Sequence, residues 1–470
     1  MSLPTTAKPA EEDVTMRNVV TLGIGMSLCL IGIKVSSSFI VPILGNVGSI
    51  SMALLYFSNS FANFFVPPLL NLFGNERRAM FWTVFEYCLY ILQFAYIIIP
   101  LNLVWSFIHG IFAALIWTAE GIYLCANSND SDRGKKSGIF WTLYMTGAAG
   151  GNIAVYFLLK KMNINDFPTS TGWHGTASIM FIVLAATSLL GAFPMAMLKP
   201  SAAETRRKFV AKTSQKVLVK KMLRMVVSPN MRWLIIPMFF VGFEYVFIGS
   251  MLTRQVHQTG EVGLMMSLFC IVEMVMSTPF GLLLDRIGNV GSFLLSTVLE
   301  MAAIITFWFA NKSQGGLFYL AFIFLSLSDS SYETVIPTII GRNYSDQESA
   351  NSTYRLFQYM GGCICYLIAP LFVDGSTKYV SDASLMRELT LCGVLCILSA
   401  ICFVVYEKSF KKELPVVTKE PVHTDEKAAE LVHVANEDLD EVSKAGAKKV
   451  SSVKMDDVKV TAVNNEDFTH

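Results

Sequence analysis

Gly281-Leu282-Leu283-Leu284-Asp285-Arg286-Ile287-Gly288 separates two long apolar runs, and a second stretch stands in the same register: Pro67-Pro68-Leu69-Leu70-Asn71-Leu72-Phe73-Gly74-Asn75-Glu76-Arg77-Arg78. The first follows the eighth apolar run of the chain and the second follows the second run, so each holds the same place in its half. An internal repeat of this kind predicts two related sets of membrane helices, with a site at their interface near the midplane. A carboxylate such as Asp285 at a helix end can accept from the free amides that open a neighbouring helix, and it complements that helix's dipole.

The runs that set this register cover 19–44, 49–73, 80–99, 101–126, 137–159 and 176–198 in the first half, and 233–252, 263–284, 290–310, 316–340, 354–373 and 389–406 in the second. Each is close to the roughly 20 residues that a helix needs to cross a bilayer core. In hydrocarbon the backbone groups must be satisfied within the segment, which leaves helix as the conformation. The predicted fold is therefore all-α and polytopic, with twelve transmembrane helices in two six-helix bundles. Composition agrees, because 53% of the 470 residues are hydrophobic and only 16% are charged, against roughly 25% charged in soluble domains. A net charge of +1 offers no clustered basic surface for nucleic acid. The nine cysteines lie in or beside apolar runs and read as free thiols without metal-ligand spacing.

Basic residues mark the cytoplasmic side of short loops. They gather at Arg77 and Arg78, at Arg133, Lys135 and Lys136, and along 199–230, while the loops at 42–48 and at Pro100 carry none. This predicts both termini in the cytoplasm, of a protein in the plasma membrane or an internal membrane. The organisation follows: a tail over 1–16, a bundle over 17–198, a basic linker over 199–230, a bundle over 231–406 and a disordered tail over 407–470. The first run is as long as a full span and is expected to be retained rather than cleaved. The linker reads as a solvated segment leaning on anionic lipid, or as a docking site for a partner.

The eight residues from Gly281 resemble the G-x-x-x-D-R-x-G signature of the major facilitator superfamily. In that superfamily the loop latches the two halves on the cytoplasmic side, which implies that Asp285, with Gly281, Arg286 and Gly288 around it, faces the start of the fifth helix near Gly134. Gly74, Arg77 and Arg78 form the counterpart loop, where Asn71 replaces the aspartate and the matching latch loses its charge. Further stretches resemble one branch of that superfamily, the uncoordinated-ninety-three family of ion-channel regulatory proteins. They are 53–63 with Pro67 and Gly74, 117–124, Gly151-Asn152, Ser328-Asp329 and Arg355-Leu356-Phe357-Gln358. Glu120 stands where that pattern has glutamine, and Asp329 matches it. The resemblance implies regulation of an ion channel, potassium channels among them, or escort of a membrane receptor. The alternative is a secondary transporter that moves a small solute, with a coupling ion, through a charged central cavity.

Ionisable groups inside a span are costly, so each is a functional candidate. Lys34 lies in the first helix, His109 and Glu120 in the fourth, Glu244 in the seventh, and Asp329 with Glu333 in the tenth. His109, Glu120 and Tyr123 share one helical face, as do Asp329 and Glu333. Both faces are expected to border the cavity, with Lys34 paired to Glu244 or Asp329 across it. The bland alternative is that these groups pair among themselves or snorkel to an interface. Glu86, Glu273 and Glu300 receive no assignment, since the third and ninth helices of such a fold are peripheral. Gly147 and Gly151 on the fifth helix and Gly361 with Gly362 on the eleventh are expected to pack the two halves together. No H-E-x-x-H, C-x-x-C or nucleophile-elbow arrangement occurs, so neither an enzyme, a metal nor a cofactor is expected. The expected partners are the lipid bilayer, an ion channel or other membrane protein, and a small solute or ion.

Overall fold

Backbone groups that cannot reach water close on themselves, and the described residues are helical almost throughout. The computed structural model describes residues 9–128, 132–160, 171–200, 215–255, 259–310, 315–344, 346–372 and 381–410. In chain order the helices are α1 (Pro9–Leu44), α2 (Asn46–Ala62), α3 (Val66–Phe73), α4 (Glu76–Leu92), α5 (Ile99–Ala126), α6 (Arg133–Leu159), α7 (Thr176–Leu190) and α8 (Ala192–Ala196). They continue with α9 (Gln215–Val226), α10 (Ile235–Ser250), α11 (Thr259–Phe309), α12 (Gly315–Asn343), α13 (Gln347–Ile368) and α14 (Asp382–Ser409). Short 3-10 turns follow α10 and α13, and Tyr96–Ile97 pairs antiparallel with Gly172–Trp173.

These helices follow the expected runs in order, and among the described residues seven segments are long and apolar enough to cross a membrane by length and composition. Elsewhere a local feature opposes that measure: α4 has only 17 residues, α2 and α3 are parted after Ala62, and α12 carries Asp329 and Glu333. Helix α1 begins at Pro9, inside the expected tail; proline's fixed φ suits a first helical turn. The linker contains α9, and α14 runs on to Ser409. Residues 411–470, the rest of the expected tail, lie outside the described residues.

The two repeat loops share a backbone device. Gly74 closes α3 at φ 82°, and Gly288 breaks the long α11 at φ 74°. They are equivalent positions of the repeat, both in the left-handed region that glycine adopts without steric cost. After the first turn, Asn75 caps α4 by accepting from the backbone N–H of Arg78 at 2.8 Å.

Helix pairing defines two halves. In the first, α1 packs on α6 and α7, and α5 on α2 and α4; in the second, α11 packs on α12 and α14, and α10 on α13. The seam between them is made by α6 against α11 and by α2 against α13. The expected role of the glycines is corrected here for three of the four. A Cβ on Gly147 or Gly151 would meet Ser27 or Ile31 of α1, and one on Gly361 would meet the Phe239 carbonyl of α10, all partners in the same half. Gly362 does face the other half, 2.6 Å from the Tyr56 ring if given a Cβ. On α6 and α11 the seam is brought close by Gly260 and Gly263 instead, which lie against the backbone of Lys160 and of Asn152.

Gly242 marks the tightest approach of α10 to α13, where an added Cβ would overlap the Gln358 carbonyl oxygen and sit 2.5 Å from its carbon. Backbone cannot swing aside as a side-chain tip can. Gly242→Ala is therefore expected to lower stability by about 1–3 kcal/mol, outweighing alanine's better helix propensity. Gly150, with nothing within 4 Å, is the control, and Gly150→Ala should be neutral or stabilising by up to about 1 kcal/mol. Thermal unfolding of the purified variants in detergent checks both.

Candidate functional site

Lys34 lies deep in α1, and its ammonium turns to the seam. Nζ donates to the Tyr245 hydroxyl of α10 at 2.5 Å, and it stands over the rings of Tyr245 at 4.7 Å and Phe269 of α11 at 5.6 Å. Aromatic faces attract cations, so two helices of the second half hold a charge supplied by the first. The ammonium borders a pocket also lined by Ser37, Tyr56, Tyr245, Phe269 and Tyr366. Tyr56 packs edge-on against Tyr359 and Tyr366, at 5.5 and 5.2 Å between centroids.

The expected pairing of Lys34 with Glu244 or Asp329 is not formed. The carboxylate that acts on Lys34 is Glu273 of α11. Consecutive helical residues point about 100° apart, so once Tyr245 faces the seam Glu244 is turned into the second half. There it lies beside Asp329 of α12, both fully buried, and Asp329 in turn adjoins Glu273, so the acidic group borders the carboxylate that acts on Lys34. Glu300 joins this group and accepts from the Cys392 thiol at 3.5 Å.

Closer to the basic loops, a second network crosses the seam. Arg355 of α13 donates to Gln358 at 2.8 Å, Gln358 donates to Glu333 of α12 at 2.5 Å, and the Tyr354 hydroxyl donates to the other Glu333 oxygen at 3.2 Å. The guanidinium also stands 5.1 Å from the Tyr354 ring centre. Glu120 of α5, buried in the first half, has Arg355 as its opposite charge. Arg355 thus acts on both Glu120 and Glu333, with Gln358 bonded between Arg355 and Glu333; the sequence offered this arginine and glutamine only as part of a resemblance.

Two members of the expected fourth-helix face lie elsewhere. His109 Nδ1 is 2.9 Å from Glu86 of α4, with the imidazole stacked on Tyr90 at 3.9 Å and edge-on to Tyr87. This local pair gives Glu86 its role. His109 precedes Glu120 by eleven residues, about 16 Å along the axis, so a shared face does not mean a shared site. At the other end of α5, Tyr123 donates to the Lys199 carbonyl at 2.6 Å and holds the chain leaving α8.

At the latch loops the structure gives Asp285 a partner that the sequence reading did not name. Asp285 pairs with Arg342 at 2.6 Å, in the open and within its own half. Arg342 ends α12, where a cation complements the helix dipole. Arg286 is exposed, and Asn71 is exposed near the end of α3, its carbonyl accepting from the Gly74 N–H. Arg77 donates to the Leu198 carbonyl at 3.0 Å. The halves are instead bonded by Lys34 to Tyr245, by the Ser60 hydroxyl donating to the Leu356 carbonyl at 2.9 Å, and by Arg254 donating to the Ser49 hydroxyl at 3.0 Å.

Comparison with known proteins bears on the family and the fold. Residues 42–404 match the family described as ion channel regulatory protein UNC-93. The chain is 25% identical over 414 residues to the UNC93-like protein MFSD11 of Xenopus tropicalis, covering 76% of this chain and 90% of that protein. It is 23% identical to the protein unc-93 homolog A of Bos taurus, covering 75% and 86%. Among solved structures, a D-xylose-proton symporter superposes with a TM-score of 0.64 at 12% identity, covering 86% of this chain and 99% of that one. The nucleoside transporter NupG does so with a TM-score of 0.61, also at 12% identity, covering 85% and 100%. These two likenesses establish the major facilitator fold.

Proposed function

We propose, because the chain belongs to the UNC-93 family of ion channel regulatory proteins, that it acts by contacting an ion channel or another membrane protein and that it is not an enzyme. One observation carries the reading beyond family membership. Lys34 of the first half is held by Tyr245 of the second, and Glu333 is held by Gln358 and Tyr354. A bundle tied in this way suits a surface that must keep its shape for a partner, and the missing charge at Asn71 fits a chain released from a latch that an alternating cycle would use. Affinity purification of the full chain from native membranes, with identification of what accompanies it, is the test. A channel or receptor subunit should be enriched over a control bundle of the same fold. Recovery of the chain alone, in parallel with solute uptake that depends on Lys34, would reverse the assignment.

A second reading rests on the Lys34 pocket, where one cation and several hydroxyls meet between the halves. That chemistry suits a small anionic solute, in keeping with a secondary transporter. As to orientation, we place both termini, the linker and the loop at Arg77 in the cytoplasm, on the bias of basic residues. A tag after Met1 should be labelled only after the membrane is permeabilised; labelling on intact cells would contradict this topology.

A further inference from the structure

We propose that α9 and the residues just after it dock on the anionic phospholipid surface of the surrounding bilayer, and that this contact is passed through α13 to the seam. The sequence supplies the charge. From Thr205 to Phe243 there are nine lysines and arginines and no acidic residue. The structure supplies the geometry. Helix α9 packs on α13 and buries Met222 and Met225, which turns Lys220, Lys221 and Arg224 outward. Between these cations the same surface exposes Leu223 at 54% and Val227 at 77%. Beyond them Arg232 stands 5.5 Å from the centre of the Trp233 ring, shortly before α10 begins.

Exposed leucine and valine interleaved with lysine and arginine suit neither bulk water nor a dry interface. At the headgroup level of a bilayer both are satisfied, the apolar groups against acyl chains and the cations against phosphates, and tryptophan favours the same depth. A basic cluster on an amphipathic helix beside a span carries the chemistry of phosphatidylserine or phosphoinositide binding. The consequence for the seam follows from what α13 carries: Arg355 and Gln358 of the charged network, Gly362 against Tyr56, and the Leu356 carbonyl that accepts from Ser60. Drawing α9 onto the surface would hold the start of α13 in place and, with it, these contacts to the first half.

The test uses the full chain in nanodiscs of phosphatidylcholine, alone or mixed with phosphatidylserine, compared with the triple variant Lys220→Gln, Lys221→Gln and Arg224→Gln. Each cation near an anionic surface contributes about a fivefold preference, so the three together should favour fluorescent phosphatidylserine over phosphatidylcholine on the order of a hundredfold, and the variant should lose that preference. A variant with Lys220→Arg, Lys221→Arg and Arg224→Lys should retain it, and all three proteins should melt alike in phosphatidylcholine. Amide exchange over 347–356 should slow with phosphatidylserine in the natural chain and not in the neutral variant. Equal association with both lipids, or a preference that survives in the neutral variant, overturns the docking. Selective binding that leaves exchange in α13 unchanged overturns the coupling.

Discussion

Arg355→Leu is expected to be the most damaging single change in the seam, lowering stability by about 2–4 kcal/mol. Removing one partner of a fully buried charge pair costs about 3–5 kcal/mol, and the figure is reduced here because the partly exposed Arg355 is screened by solvent and acts on Glu120 without a direct ion-pair contact. Without it the buried Glu120 loses its opposite charge, and Gln358 loses the donor that orients its amide toward Glu333. Arg355→Lys should fall between, since lysine keeps the charge but not the planar fork. Glu120→Gln in the Arg355→Leu background should recover a large part of the loss, because the stranded charge is then gone; a double-mutant cycle reads that coupling. Denaturant unfolding and surface expression are the measurements. A leucine variant within about 0.5 kcal/mol of the natural chain, or strictly additive double mutants, would mean that the seam does not depend on this charge.

The same arginine shows what was legible in the sequence. Apolar run length located nearly every helix, because the bilayer imposes one length and one conformation on each. Run length marks the apolar part of a helix only, so the eleventh run opened at 354 and left Arg355 reading as an end residue. Helix α13 begins seven residues earlier, at Gln347, with Asp346 capping it through the Ser349 N–H at 3.1 Å. That cap is a sequence-level start signal, and it would have placed Arg355 two turns inside the helix. The equivalent turns at Gly74 and Gly288 were legible because a left-handed residue leaves its mark in the amino acid itself.

Facing was less legible than position. A glycine records that something approaches closely, not which helix it is, and so Gly147 and Gly151 could not be assigned to α1 rather than to the other half. Periodicity fixes which residues share a face but not at what depth each finds its partner, and His109 was drawn toward Glu120 although Glu86 stood within reach on α4. A carboxylate on an expected peripheral helix beside a histidine on the next one is the signal that could have joined them. At 244 and 245 a single residue decides the outcome, because the tyrosine and not the glutamate takes the seam.

Lys34 therefore gives the second large effect. Lys34→Met keeps most of the side chain's volume and removes its charge; the loss should be about 2–3 kcal/mol, in the range for a hydrogen bond to a charged group together with cation–π contacts to two rings. Tyr245→Phe separates these contributions, since it deletes the hydroxyl that accepts from Nζ at 2.5 Å and keeps the ring 4.7 Å from it. Its cost should be about 1.5 kcal/mol, the hydrogen-bond share alone. The identity of the acidic partner is settled by rescue. With Lys34 neutral, Glu273 is left as a carboxylate in the seam without its cation, and Glu273→Gln in the Lys34→Met background should restore part of the loss. Glu244→Gln should not, because Glu244 is turned into the second half, where Asp329 stands between it and Glu273. Rescue by Glu244→Gln and not by Glu273→Gln would mean that α10 is rotated by about one residue from the arrangement described, placing Glu244 in the seam and Tyr245 away from it. No change on Lys34→Met would show that the cation is not part of what joins the halves, and the seam would then rest on Arg355 and the close-packed glycines.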